Sequence, residues 1–255
     1  MDHIAFALID FSLNKNKIRT LIEKIPMSLA RTFHRTPTID ALRAQVATIE
    51  QNAVGGRKII SLGLSALDAA LPEGGLVLGG VHEATGSAAG CFVGMVATQL
   101  EGPVLWCVDV DARTKLFGPG LVSFGLHPVR VIVAHCRGRT DLLWAMEEGL
   151  RTSALTAVIG EPLGIVDLIA SRRLQLAAEA GETLGIVLNV EKEVRFAPSA
   201  LESRWRIDSE PAVDLVCPRW RVVLERCRGG VHEPYWIVER DETKGHFAVV
   251  TAFGD

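Results

Sequence analysis

The sequence predicts an α/β domain with a mostly parallel sheet flanked by helices and with antiparallel strands at the C-terminus. Strand-like and helical stretches alternate from residue 57 to about residue 190, an order that is typical of parallel sheets. Several of the strand-like stretches are continuously apolar, such as Val104–Val110 and Leu184–Val190, as in strands that are covered on both faces. After Ala200 the strand-like stretches follow one another without a long helix between them, which predicts antiparallel hairpins.

Each element follows from local composition and apolar spacing. In the first part, the predicted strands are Lys58–Leu62, Leu78–Glu83, Val104–Val110, Val129–Ala134, Leu155–Ile159 and Leu184–Val190. The helices predicted between them are Ser65–Leu71, Ala89–Leu100, Arg139–Thr152 and Gly164–Ala180. The later predicted strands are Ser203–Ile207, Trp220–Arg226, Tyr235–Glu239 and Phe247–Val250. We expect these later strands either to close the main sheet or to form a small appendage.

The same patterns predict the domain boundaries. Residues 57–210 are predicted to form the core, and residues 211–255 a C-terminal β-hairpin region. Residues 36–56 are predicted to form a helix and a linker, because apolar residues recur at helical spacing before a Gly-Gly pair. We expect residues 1–35 to be a poorly ordered extension or an incorrectly annotated start, since residues 1–26 precede a second methionine. The intact mass of the native protein distinguishes these two alternatives.

The bulk composition excludes several function classes. The chain has 255 residues, 48% of them hydrophobic, and a formal net charge of -3, so it has no overall positive charge that would favour nucleic acid. No apolar run approaches the ~20 residues that cross a bilayer, and we expect a cytoplasmic protein without a membrane partner. The five cysteines form no C-x-x-C pair and the histidines lack metal-ligand spacing, so we expect reduced cysteines and no metal site.

A phosphate-binding loop of altered composition is predicted at residues 85–92, TGSAAGCF. This segment lies between a predicted strand and a predicted helix, where the pattern G-x-x-x-x-G-K-[ST] would bind phosphate and magnesium. On that pattern Gly90 is the second glycine, Cys91 takes the lysine position and Phe92 takes the hydroxyl position. Thr85 takes the first glycine position, with Gly86 beside it. The sequence therefore predicts a phosphate loop without its ATP chemistry, or else a tight turn that binds no ligand.

The segment that precedes this loop resembles the corresponding segment of the RecA family. Gly63–Leu71 reads GLSALDAAL, Gly74-Gly75 follows, and Gly79–Glu83 reads GGVHE, in the order seen before the RecA phosphate loop. The resemblance places Asp111 at the catalytic glutamate position. It also aligns Ala157–Pro162 with the Walker B strand, where an aspartate is expected directly after the apolar run.

The Walker B position departs from the family pattern. Gly160 stands where the aspartate is expected, and Glu161 comes one residue later. Asp109, Asp111 and Glu161 are predicted at the carboxyl ends of strands, the edge where open α/β sheets bind ligands. We expect these carboxylates to be either an altered nucleotide site or solvated acids.

The more specific resemblance is to the ImuA family of RecA-like proteins, and it covers about Ile39 to Val250. It includes the core motifs, Ala200–Ile207 (ALESRWRI) and Pro218–Arg228 (PRWRVVLERCR). The resemblance implies a non-catalytic accessory protein of the SOS response, active in damage-induced mutagenesis and translesion synthesis. It implies an ImuB-type Y-family polymerase homologue and an error-prone DnaE-type polymerase subunit as partners, with RecA and DNA as further candidates and with no cofactor. The N-terminal helix and the strands after Ala200 are the expected interfaces.

Two other functions remain open at this point. One is a RecA-like ATPase or DNA-binding protein with an atypical phosphate loop, which would turn over ATP with magnesium. The other is a SulA-like cell-division inhibitor, because such inhibitors are also RecA-like.

Arginines alternate with tryptophans late in the chain. The candidates for binding DNA or an acidic partner are Arg204, Arg206, Arg219, Arg221, Arg226 and Arg228. Because strand side chains alternate between faces, we expect Trp205 and Trp220 in the core and the neighbouring arginines on an exposed cationic face. Glu202, Asp208 and Glu225 dilute this charge, so an ordinary solvated face is the alternative.

Overall fold

A computed structural model describes residues 7–10, 57–97, 99–111, 116–189, 198–212, 217–228, 233–241 and 246–253. The strands in these ranges are β1 (Ala7–Asp10), β2 (Ile59–Ile60), β3 (Leu76–Val77), β4 (Val81–Thr85), β5 (Val104–Asp109), β6 (Val131–Cys136), β7 (Ala157–Gly160), β8 (Leu184–Asn189), β9 (Ser203–Glu210), β10 (Arg219–Cys227), β11 (Tyr235–Asp241) and β12 (His246–Phe253). The helices are α1 (Ser65–Asp68), α2 (Gly90–Ala97), α3 (Gly118–Ser123), α4 (Gly138–Leu150) and α5 (Leu168–Gly181), with a 3-10 turn at Pro128–Arg130. None of these helices is long and apolar enough to cross a membrane.

Ten of the strands form one sheet in the order β1-β6-β5-β7-β8-β4-β9-β10-β11-β12. In this sheet order, each strand from β1 as far as β9 is parallel to its neighbours. The pairs β9–β10, β10–β11 and β11–β12 are antiparallel. The late strands therefore extend the main sheet and do not form a separate appendage. Strands β2 and β3 form a small antiparallel pair of their own.

Each face of the parallel part of the sheet is covered by helices. On one face, α2 packs residues such as Phe92 and Val96 against the core that includes Trp106 and Ile159. On the other face, α4 and α5 pack against the core that includes Leu105. Leu105 and Trp106 are sequence neighbours that point to opposite, buried faces, which explains why β5 is apolar without alternation.

The observed boundaries differ from the predicted ones for local reasons. The predicted strand Leu78–Glu83 begins only at Val81, in β4, because Gly79 has a φ of +71° and turns the chain between β3 and β4. The predicted helix Gly164–Ala180 begins at Leu168, where the Asp167 carboxylate accepts a hydrogen bond of 2.8 Å from the Ala170 N–H. Helix α3 was not predicted, since its sequence GPGLVS is poor in helix-forming residues.

Strand β1 lies within the segment predicted as an N-terminal extension. It pairs in parallel with β6, with Ala7 opposite Ile132 and Asp10 opposite His135. The rest of residues 1–35 and the helix predicted at 36–56 lie outside the described residues.

Candidate functional site

The phosphate loop has the predicted strand–turn–helix arrangement. Strand β4 ends at Thr85, a turn follows, and α2 begins at Gly90. Gly86 has a φ of +97°, and a Cβ atom there would lie 2.5 Å from the carbonyl oxygen of Ile207 on β9. Only glycine fits this position, because β9 crosses so close to the loop.

The N–H groups of the loop are bonded to the chain's own oxygen atoms. The N–H and the hydroxyl of Ser87 both donate to Oδ1 of Asp208, over 3.1 and 3.2 Å. The Ala88 N–H donates to the Ile207 carbonyl over 3.0 Å. The N–H groups of Ala89, Cys91 and Phe92 donate to carbonyls within the turn. A phosphate would need these donors, so in this structure the Asp208 carboxylate occupies the place of an anion.

The lysine and hydroxyl positions belong to the core. Phe92 is fully buried and its ring centre lies 5.6 Å from that of Trp205. Cys91 is also buried, and burial raises the pKa of its thiol far above the usual value. The Cys91 side chain therefore stays neutral, and neither residue supplies a cation or a magnesium ligand.

The Walker B position is filled by a side chain from α4. A Cβ atom added at Gly160 would lie 2.1 Å from Sδ of Met146, so the position has no room for an aspartate without movement of Met146. Glu161 is half-buried and accepts a hydrogen bond of 2.7 Å from Nε1 of Trp106. Burial raises the pKa of Glu161, although the hydrogen bond from Trp106 opposes this.

The other two acids of the sheet edge lie close to each other. Oδ1 of buried Asp109 accepts a hydrogen bond of 3.0 Å from the N–H of exposed Asp111. Within the described ranges, no three His, Cys, Asp or Glu residues are grouped as metal ligands would be.

Arg204 does not lie on the exposed face that we expected. Its side chain is 4% exposed, and its Nε donates to Oε2 of Glu83 over 2.6 Å. The reason is its place in the sheet: β9 lies between β4 and β10, and Arg204 sits directly opposite Glu83 on β4. Arg204 is therefore a partner in a buried ion pair rather than a surface cation.

Two other candidate arginines are neutralised by carboxylates of the same sheet. Arg206 is half exposed and lies 3.6 Å from Asp208 and 3.4 Å from Glu225. Arg219 forms an ion pair with Glu239 on β11. These pairs weaken the predicted electrostatic attraction to a phosphate backbone.

The last three candidate arginines contact different groups within the chain. Arg221 is exposed, and its guanidinium lies 4.2 Å from the ring centre of Tyr235. Arg226 donates to the Leu201 carbonyl, and among the residues that the structure describes its buried Nε has no hydrogen-bond partner. Arg228 donates to Oε1 of Glu202 over 3.0 Å. These three arginines therefore have three different surroundings.

Glu202 has a structural role that the sequence did not indicate. This 4% exposed carboxylate accepts hydrogen bonds from Arg57, Gln175 and Arg228, at distances of 2.9 to 3.0 Å. Burial by itself raises the pKa of Glu202, but the hydrogen bonds and charges of Arg57 and Arg228 outweigh burial, and the net shift is downward. Glu202 therefore joins the start of the core, α5 and the end of β10.

A buried histidine lies next to this network. The Nε2–H of His82 donates to the Val77 carbonyl over 3.3 Å, so Nδ1 is left to accept from the Ser203 hydroxyl at 2.7 Å. Nε1 of Trp205 in turn donates to Ser203 over 2.8 Å. Burial lowers the pKa of His82 from 6.5 to about 4.

His82 should make the stability of the fold depend on pH. Above pH 6.5 it is neutral in both the folded and the unfolded chain. Between pH 6.5 and about 4 only the unfolded chain binds the proton, so this group lowers the free energy of unfolding by up to about 3 kcal/mol as the pH falls. In urea unfolding at pH 7 and 5, we expect the loss in His82→Asn to be smaller than in the natural chain by about 2 kcal/mol. Equal losses in the two proteins would contradict this role.

Comparison with known proteins tests the predicted fold class. No protein-family model matches the chain. The chain is similar to a KaiC-like protein from the hyperthermophilic archaeon Pyrococcus horikoshii OT3, with a TM-score of 0.52 and 13% sequence identity, over 77% of this chain and 100% of that one. This likeness and the parallel order of β5, β7, β8 and β4 confirm the predicted RecA-like α/β class.

The curated relatives bear on the family. They are both called Protein ImuA and come from two strains of Caulobacter vibrioides, NA1000 / CB15N and ATCC 19089 / CB 15. Each is 36% identical over 227 residues, which cover 77% of this chain and 91% of the relative. Identity at this level over most of both sequences confirms the resemblance seen in the loop approach and the late strands. The chain belongs to the ImuA family.

Proposed function

We propose that the protein is a non-catalytic accessory factor of damage-induced mutagenesis, acting in translesion synthesis during the SOS response. In this role it is a cytoplasmic adaptor for an ImuB-type Y-family polymerase homologue and an error-prone DnaE-type polymerase subunit. Membership of the ImuA family supports the biological setting. The proposal that the protein is not a catalyst is supported by the phosphate loop. The N–H groups of this loop donate to Asp208, to Ile207 and to carbonyls within the turn itself.

Nucleotide binding at the loop would be costly. A triphosphate would lose the lysine and magnesium contacts, each worth about 1.5–3 kcal/mol. It would also have to displace the Asp208 carboxylate, whose oxygen lies 3.1 Å from the Ser87 nitrogen, or else bind beside a like charge. We therefore propose that the protein needs no nucleotide cofactor.

The arginines favour a protein partner over DNA as the principal ligand. Arg204, Arg206, Arg219 and Arg228 are each paired with a carboxylate of the chain itself. A track along a nucleic acid depends on cations that release counterions from phosphates, and paired arginines contribute less to this effect. Contacts with RecA or DNA are then secondary to those with the polymerase partners.

The proposed function predicts complex formation that is independent of nucleotide. The full-length chain should co-purify with the ImuB-type homologue, and a magnesium–ATP analogue should leave the affinity unchanged within a factor of about two. Affinity can be measured by interferometry with the partner immobilised, and a titration with a fluorescent ATP analogue provides the parallel measurement. An affinity that rises tenfold with ATP, or micromolar binding of the analogue, would show an active nucleotide site instead.

Deletion of the late strands is not a usable control in this experiment. Trp220, Val222 and Leu224 of β10 lie in the same core as Phe92, so removal of residues 212–255 would expose that core. Point substitutions of exposed residues are needed to locate the interface.

A further inference from the structure

We draw no further inference here: the strongest candidate, the outer edge of strand β12, which pairs only with β11 among the strands that the structure describes, carries nothing, because a register shift between Ile237 and Val238 interrupts its regular pairing with β11 and nothing in the structure shows what would cover that edge.

Discussion

Replacing Arg204 by alanine is expected to lower the free energy of unfolding by about 3–5 kcal/mol. The side chains of Arg204 and Glu83 are 4% and 2% exposed, and their nearest charged atoms are 2.6 Å apart. Removal of the arginine leaves the buried Glu83 carboxylate without its hydrogen-bonded ion-pair partner, and breaking a buried ion pair is far more costly than losing a surface contact. Urea unfolding monitored by tryptophan fluorescence measures the change.

Arg206→Ala provides the matched control for this prediction. Arg206 lies on the same strand and the same face, two residues further on, but its side chain is 51% exposed and its carboxylate partners lie 3.4 Å or more away. Because solvent screens such pairs, we expect a loss of less than about 1 kcal/mol. If the two alanine variants lose the same stability, the buried pair does not have the role assigned to it.

A double substitution distinguishes the value of the pair from the cost of breaking it. Glu83→Gln with Arg204→Met removes both charges and keeps similar volumes. This variant should be more stable than Arg204→Ala, because no charge is left without its partner in the core. A double variant as unstable as the single one would indicate that packing around Arg204, and not its charge, stabilises the fold.

The contrast between these arginines shows what strand alternation can and cannot predict. Alternation correctly separated Trp205 from Arg204 and Arg206, because successive side chains of a strand point to opposite faces. It could not show which residues of the arginine face are covered, because that depends on neighbouring strands from distant parts of the chain. Glu83, which pairs with Arg204, is 121 residues away in the sequence.

The phosphate loop shows the same limit. The replacement of the lysine and hydroxyl positions by Cys91 and Phe92 could be seen in the sequence, because a motif defines where they belong. The bond from Ser87 to Asp208 could not be predicted, since it depends on β9 lying beside β4. The parallel part of the sheet was predictable, because its apolar strands alternate with helices along the chain. The pairing of β1 with β6 was not predictable, because no local feature of the sequence indicates it.

Restoring the phosphate-binding consensus, by Cys91→Lys with Phe92→Thr, is expected to destabilise the protein and not to restore ATP binding. Phe92 is fully buried against Trp205, and replacing a buried phenylalanine by a small residue costs at least about 3 kcal/mol. Lysine at the buried Cys91 position adds the cost of burying a charge, unless the side chain reaches solvent. Thermal unfolding measures the loss of stability, and Cys91→Ala is the control that keeps Phe92 in the core.

Even a variant that stays folded should bind nucleotide poorly, because the loop N–H groups remain engaged. Adding Asp208→Asn removes the carboxylate from Ser87, but the Ala88 N–H still donates to the Ile207 backbone carbonyl, which no side-chain substitution removes. A phosphate could enter only if β9 moved away from β4, and that movement would break the sheet pairing next to the Glu83–Arg204 ion pair. Titration of the triple variant with magnesium and an ATP analogue should therefore show no saturable binding below about 1 mM. Micromolar binding would mean that β9 releases the loop readily and that the loop is a closed nucleotide site rather than a structural turn.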